Sequence, residues 1–299
     1  MLSCSPLPSI ERARALLGTM VAVRVRGVAP RAAHRAIDRA FAAVAEIHRL
    51  MSFQEDASDV SRLNREAARA PVAVHPHTFR VLAWATRMAQ LSQGLFDASI
   101  GATLAARGLL TGPAGITPPG GAASFRDIEL CNARRVFFKR PLWIDLGGIA
   151  KGYAVDRAVA TLQACGIVSA CVNAGGDLRT VGAHAERVTI RTAHASRFAL
   201  PVLEIRSGAL ATSGGAGAGR SPAGHAPSCH VRGDTGRALD ARTTVSVLAG
   251  RCVIADALTK VVLADQAAAA PLLRRFRAMA HIHHPDYPGS GWRRVGMLQ

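Results

Sequence analysis

Apolar and polar positions alternate through residues 16–26 (LLGTMVAVRVR), the period of a strand with one buried face. The period then lengthens. Ile37, Ala40, Phe41, Val44, Ile47 and Met51 recur at helical spacing over 32–51, so a first strand feeds a first amphipathic helix. A polar, turn-rich stretch follows (51–64, MSFQEDASDVSRLN). Over 76–93, Val81, Leu82, Ala85, Met88 and Leu91 mark another helix face, and Gly94 supplies its stop. Residues 143–146 read as a strand, 149–165 as a helix ended by Gly166, and 167–172 as the next strand. The pattern of this β-α-β arrangement leaves parallel and antiparallel pairing open. Further on, 188–191, 202–205 and 244–248 read as strands of antiparallel meanders, with helices from about Ala255 and over 266–277. Two Gly-rich stretches interrupt the pattern: 111–124 reads as an exposed connector and 213–228 (SGGAGAGRSPAGHAPS) as a long mobile loop.

A chain of 299 residues that is 49% hydrophobic and 19% charged can bury a sizeable core, as one large domain or two closely packed lobes. The net charge of +17 favours anionic partners. That excess is almost all arginine, with lysine confined to Lys139, Lys151 and Lys260, and no run of five basic residues occurs. With aromatics at 5% and no basic stripe, a nucleic-acid partner is not expected. The six cysteines form no CxxC pair, which argues against a zinc knuckle or a thioredoxin-like motif. The N-terminus lacks a charged region followed by an apolar core, so no cleavable signal peptide is visible, and no segment reaches membrane-spanning length. The compartment stays open between cytoplasmic and a mature or truncated exported form.

Four stretches carry candidate chemistry. In DLGGIAK (145–151) a carboxylate at a strand end precedes a glycine pair and a new helix, which suits either a tight strand-to-helix turn or a cradle for an anion. A second glycine pair stands in NAGGD (173–177). In ADALTK (255–260), Asp256 shares a helix face with Thr259 and Lys260 at i+3 and i+4, so its oxygens could serve a hard cation or simply favour the helix dipole. CHVRGDTGR (229–237) places a titratable histidine beside a turn. His281, His283 and His284 lie in a strand-like stretch and read as strand residues rather than a ligand set.

These pieces occur in one order along the chain: LGT (17–19), MSFQEDASDVSRLN (51–64), GLFDASIG (94–101), DLGGIAKGYAVD (145–156), NAGGDLRTVG (173–182), ATSG (211–214), TGR (235–237) and ADALTK (255–260). That order resembles the ApbE family, the FAD:protein FMN transferases. The resemblance covers 14–285, leaving an N-terminal extension (1–13) and a C-terminal tail (286–299). It implies an α+β, T-fold-related single unit of two interlocked α/β lobes with FAD between them. It also implies an enzyme that splits FAD with Mg²⁺ and joins FMN through a phosphoester to a Thr or Ser of an acceptor flavoprotein. The family is typically exported or membrane-anchored.

Carried over residue by residue, the resemblance implies flavin contacts from Leu17, from Phe53 ahead of SRLN, and from Leu95, Phe96 and Asp97. It implies FAD contacts from Asp145, Lys151 and Val231. The metal would be held by the Gly148 backbone carbonyl with Asp256 and Thr259, and His230 and Asp256 would be catalytic.

Two departures matter. Family members read DALST where this chain reads DALTK, so Lys260 replaces an oxygen donor with an ammonium that cannot ligate Mg²⁺ while charged. Lys260 would either take the cation's place or turn outward beside a poorer metal site. The family's HIIDPxTG becomes CHVRGDTG. An ungapped register puts Cys229 at the histidine position and Arg232 at the aspartate position, whereas one deletion lets His230 keep the general-base role, for which a pKa near neutrality is expected. These departures keep open a second reading, a non-catalytic FAD-binding homologue, and a third, an FAD pyrophosphatase with water as acceptor.

Overall fold

The computed structural model describes residues 9–111, 118–192, 200–214 and 228–296. The 213–228 loop therefore lies outside the described residues except at its ends, as do residues 112–117 of the 111–124 connector.

In chain order, β1 (Ser9–Leu16) and β2 (Thr19–Arg26) lead into α1 (Pro30–Met51) and α2 (Asp59–Glu66). Then come β3 (Val72–Ala73), α3 (Pro76–Leu91), α4 (Gly101–Ala106), β4 (Ile128–Cys131) and β5 (Arg135–Phe138). The second half holds α5 (Ala150–Ala164), β6 (Ser169–Ala174), β7 (Asp177–Val181), β8 (Glu186–Thr189), β9 (Val202–Ile205) and β10 (Gly208–Gly214). It closes with β11 (Thr244–Ala249), α6 (Cys252–Ala264), α7 (Gln266–Arg275), β12 (Met279–His283) and β13 (Trp292–Gly296).

Eight strands form one antiparallel sheet in the order β1-β2-β6-β7-β10-β11-β12-β13. Along it, α1 packs on β1 and β2, α5 on β6 and β7, α6 on β10 and β11, and α7 on β12 and β13. Each helix also touches the next in that series, so the apolar faces of sheet and helices close on one core, with Val21, Val23, Ile37, Val172, Val247 and Val261 at zero exposure. A smaller lobe carries α2, α3, α4 and the three-stranded sheet β3-β5-β4.

The expected helices are present, and three expectations change. Residues 16–26 are not one strand but the end of β1, a turn at Leu17 and Gly18, and β2, because alternation continues back to Ser9. Residues 143–146 are not a strand. They run extended between lobes, with Ile144 clamped by the Asn64 side chain, which donates to its carbonyl (3.1 Å) and accepts from its N–H (2.8 Å). The β-α-β reading thus gives way to a helix followed by β6, which pairs antiparallel with both β2 and β7. The stretch at 51–64 also hides a helix: Ser58 accepts from the Ser61 N–H and caps α2. At the ends, β1 begins at Ser9 and β13 runs over Trp292–Gly296, so the main sheet extends past 14–285 on both sides.

Two contacts fix where the chemistry sits. Gly175 and Gly176, both at positive φ (61° and 103°), form the two-residue turn that brings Asp177 back beside Ala174. At Gly152, a Cβ would fall 2.4 Å from the Cys252 carbonyl oxygen, so α5 and α6 approach at a spacing no larger residue allows.

Candidate functional site

A cleft of about 320 Å³ opens between the lobes. One wall is apolar, from Leu95, Phe96, Ile100, Leu104, Leu109 and Leu110 of the smaller lobe. The facing wall is polar, from Asp145, Gly147, Gly148 and Lys151 at the start of α5, Thr212 and Ser213 on β10, and Lys260 on α6. Cys229, His230 and Val231 close one side. A second hollow of about 410 Å³, lined by Leu17, Met51, Phe53 and Gln54, shares Leu110, Asp145, Gly147 and Lys151 with the first. The paired apolar and polar walls suit a ligand with a flat apolar part and an anionic part.

The positions implied by the resemblance converge here, though not all in the implied manner. Leu17 lines the second hollow with φ at 55°, a conformation that costs a leucine roughly 1–2 kcal/mol. Phe53 is mostly buried, its ring set edge-on to Trp143 at 5.8 Å. Asp97 lines the cleft, but its carboxylate accepts from the Ser99 N–H and hydroxyl and from the Phe125 N–H, each at 2.8 Å. Burial still holds the Asp97 carboxyl above its ordinary pKa, against those hydrogen bonds. Asp145 accepts from the Gly147 N–H at 3.1 Å, and burial raises its pKa too, with Gly147 and Lys260 opposing.

The two carboxylate-plus-glycine turns meet through Lys151, whose ammonium lies 3.2 Å from Asp177. Burial alone would lower the Lys151 pKa, but Asp177 and Asp256 outweigh it and raise it. Burial and then repulsion from Asp256 push Asp177 up to about 6, against the pull of Lys151 and Lys260.

Asp256 and Thr259 are fully buried beneath the cleft floor. One Asp256 oxygen accepts from the Gly152 N–H (2.9 Å) and the other is engaged by the Lys260 ammonium. The Thr259 hydroxyl donates to the Asp256 carbonyl (2.7 Å), which also accepts from that ammonium (3.2 Å), and meets the Ser213 hydroxyl (2.8 Å). The Asp256 and Thr259 side-chain oxygens implied for a metal therefore already have protein partners, and among the described residues no three His, Cys, Asp or Glu side chains gather around one point. A Cβ placed on Gly148 would lie 3.5 Å from Cε of Lys260, so the lysine stem fills the space between Gly148 and Asp256. This donor set does not fit Mg²⁺ while Lys260 stays in place.

His230 and Cys229 both line the cleft, and the Cys229 thiol donates to the Gly214 carbonyl at 3.4 Å. Arg232, at the family's aspartate position in the ungapped register, pairs with Asp234 at 2.9 Å instead. The neutral pKa expected for His230 is corrected: burial and then the Lys260 charge push it down to about 4. It is a neutral imidazole throughout the physiological range.

Two residues that position the site went unnoticed in the sequence. Asp156 accepts from the Cys252 N–H (3.0 Å) and the Val253 N–H (3.1 Å), capping α6, whose own N-cap Arg251 makes no side-chain cap. Its partner Arg179 donates to it at 2.8 Å. Asn64 holds the strand-like run into Asp145. A carboxylate late in DLGGIAKGYAVD and an asparagine closing SRLN were the available signals, but both partners lie far away in sequence.

Such a fold defines a two-lobed α+β protein with a cleft between the lobes. The chain matches the ApbE family over residues 17–282 and belongs to it. An FAD:protein FMN transferase of Treponema pallidum (strain Nichols) is 28% identical over 188 residues, 58% of this chain and 51% of that protein. One from Vibrio cholerae is 29% identical over 239 residues, 71% of this chain and 68% of that protein. The chain thus spans about half the length of the first relative and about two thirds of the second. Among solved structures, the flavin transferase ApbE from Vibrio cholerae superposes with a TM-score of 0.79 at 21% identity over 98% of both chains. The ApbE protein from Thermotoga maritima gives 0.82 at 24% identity over 96% of this chain and 97% of that one. These likenesses establish the fold.

Proposed function

We propose that this chain binds FAD in the interlobe cleft and transfers its FMN moiety to a Thr or Ser hydroxyl of an acceptor flavoprotein, releasing AMP. The observation that carries this reading is the cleft itself: an apolar wall at Leu95 and Phe96 faces two ammonium groups, Lys151 and Lys260, with His230 at the side.

The isoalloxazine ring would lie against the apolar surfaces of Phe96, Leu110, Leu17 and Phe53. The diphosphate would lie toward Lys151 and Lys260. The acceptor oxygen attacks the phosphorus on the flavin side and a new P–O bond forms. The bond from that phosphorus to the bridging oxygen breaks, and AMP leaves with the electron pair. His230 takes the hydroxyl proton. The lysines offset the charge that grows on the departing phosphate, the main form of assistance in phosphoryl transfer. No step here is routed through a divalent ion.

The test is incubation with FAD and an acceptor domain carrying a flavinylated-type Thr or Ser, followed by mass spectrometry. FMN added to the acceptor supports the transferase. A second reading, an FAD binder without transfer, is favoured by the low basicity of His230. FAD bound but unconsumed with two different acceptors would select it, and FMN plus AMP in solution would select hydrolysis.

A further inference from the structure

The chain carries three lysines among 37 basic side chains, and two of them line the cleft. Arginine is this protein's default cation at the surface, so the ammonium groups stand where a compact, mobile point charge is needed rather than a planar fork. Lys260 is the more enclosed, with its side chain 15% exposed against 29% for Lys151. Its ammonium is bonded both to the Asp256 carboxylate and to the Asp256 main-chain oxygen. Asp145 and Asp177 lie within electrostatic reach of the same charge. Its stem passes Gly148, where a Cβ would meet Cε and Cγ of Lys260 at 3.5 and 3.8 Å and the Phe96 ring at 3.4 Å, so lysine stem and ring crowd the same face of that glycine.

We propose that Lys260 is a built-in cation that makes diphosphate recognition in this cleft independent of divalent metal. The inference rests on the FAD reading of the site. The carboxylates that would draw a divalent ion already hold an ammonium, and a second positive charge in the same space would meet direct repulsion. With Lys151, the lysine presents two positive charges to a ligand that carries two negative ones on its diphosphate. The arrangement trades an exchangeable ion for a tethered one, so no entropy of ion capture attends ligand binding.

The decisive measurement is FAD affinity by flavin fluorescence, on the intact chain, with Mg²⁺ and with EDTA. The wild type should bind FAD equally in both, within about twofold. Lys260→Met, which keeps the stem and removes the charge, should lose at least tenfold in affinity, and Mg²⁺ should not restore it. Lys260→Thr, which returns a hydroxyl oxygen, should bind FAD tightly with Mg²⁺ and weakly with EDTA, and should bind Mn²⁺ as seen by electron paramagnetic resonance where the wild type does not. A wild type that needs Mg²⁺ for FAD affinity, or that itself binds Mn²⁺ in the cleft, overturns the inference. A wild type that binds no FAD under either condition overturns the FAD reading instead, and the two failures are told apart in one experiment.

Discussion

Lys151 and Lys260 face the same cleft from adjoining helices, yet they are held in opposite ways. Lys151 reaches across the fold to Asp177, at the start of β7, so its ion pair ties helix to sheet. Lys260 pairs one turn back along its own helix with Asp256, which is fully buried. A cross-element pair reports that the tertiary structure has formed. A local pair is available to any helix with that spacing, and what makes Lys260 consequential is the burial of its partner rather than the pairing itself.

The sharpest way to break this comparison is at Asp256. Asp256→Ala should cost about 3 kcal/mol or more in urea unfolding, since it strands an enclosed ammonium and orphans the Gly152 N–H. A loss below about 1 kcal/mol, the scale of an exposed pair, would show that Lys260 simply swings into solvent. His230→Gln should lower FMN transfer by on the order of 10²–10⁴ while leaving FAD affinity within a few-fold. Equal losses in both would recast His230 as a binding residue.

The pH dependence sharpens the same point. With His230 at about 4, transfer should be flat over the physiological range and fall only as pH approaches that value. An acid limb near the ordinary 6.5 would contradict the burial and Lys260 effects on the ring. The stability sign follows: between about 4 and 6.5 the unfolded chain binds the proton and the folded one does not, so this group destabilises the fold progressively as pH falls through that window. In Lys260→Met the limb should move upward. The smallest effect is expected at Phe53→Leu, where losing the ring but keeping most of the volume should weaken FAD binding about three- to tenfold, the worth of an aromatic contact. No change would leave Phe53 as a packing partner of Trp143 alone.

Much of this was legible in the chain. Helical spacing in α1 and α3, and the glycine turns that carry Asp145 and Asp177, are local signals. What escaped is non-local. Residues 143–146 look like a strand because they are mostly apolar, but their backbone partners are the Asn64 side chain at Ile144 and the Ala98 and Gly101 main chain at Asp145 and Trp143, not a neighbouring strand. The apolar spacing starts α6 near Ala255, three residues past Cys252, because its cap comes from Asp156 on another helix. Lys260 was visible as a departure from DALST, but its direction was not, because a lysine stem can turn either way until Gly148 and Phe96 confine it. The low pKa of His230 likewise needs the enclosure of the cleft, which no motif encodes.

The cap that Asp156 gives to α6 spans 96 and 97 residues of chain. A helix that borrows its first turn from so far away cannot mature early. Its closure waits on α5 and β7, so folding is governed by a long loop whose entropy must be met before the reward arrives. A ligand seated in the cleft above that cap would add its binding free energy to the whole molecule. Nucleotide occupancy would then be felt as resistance to unfolding in strands that never touch it.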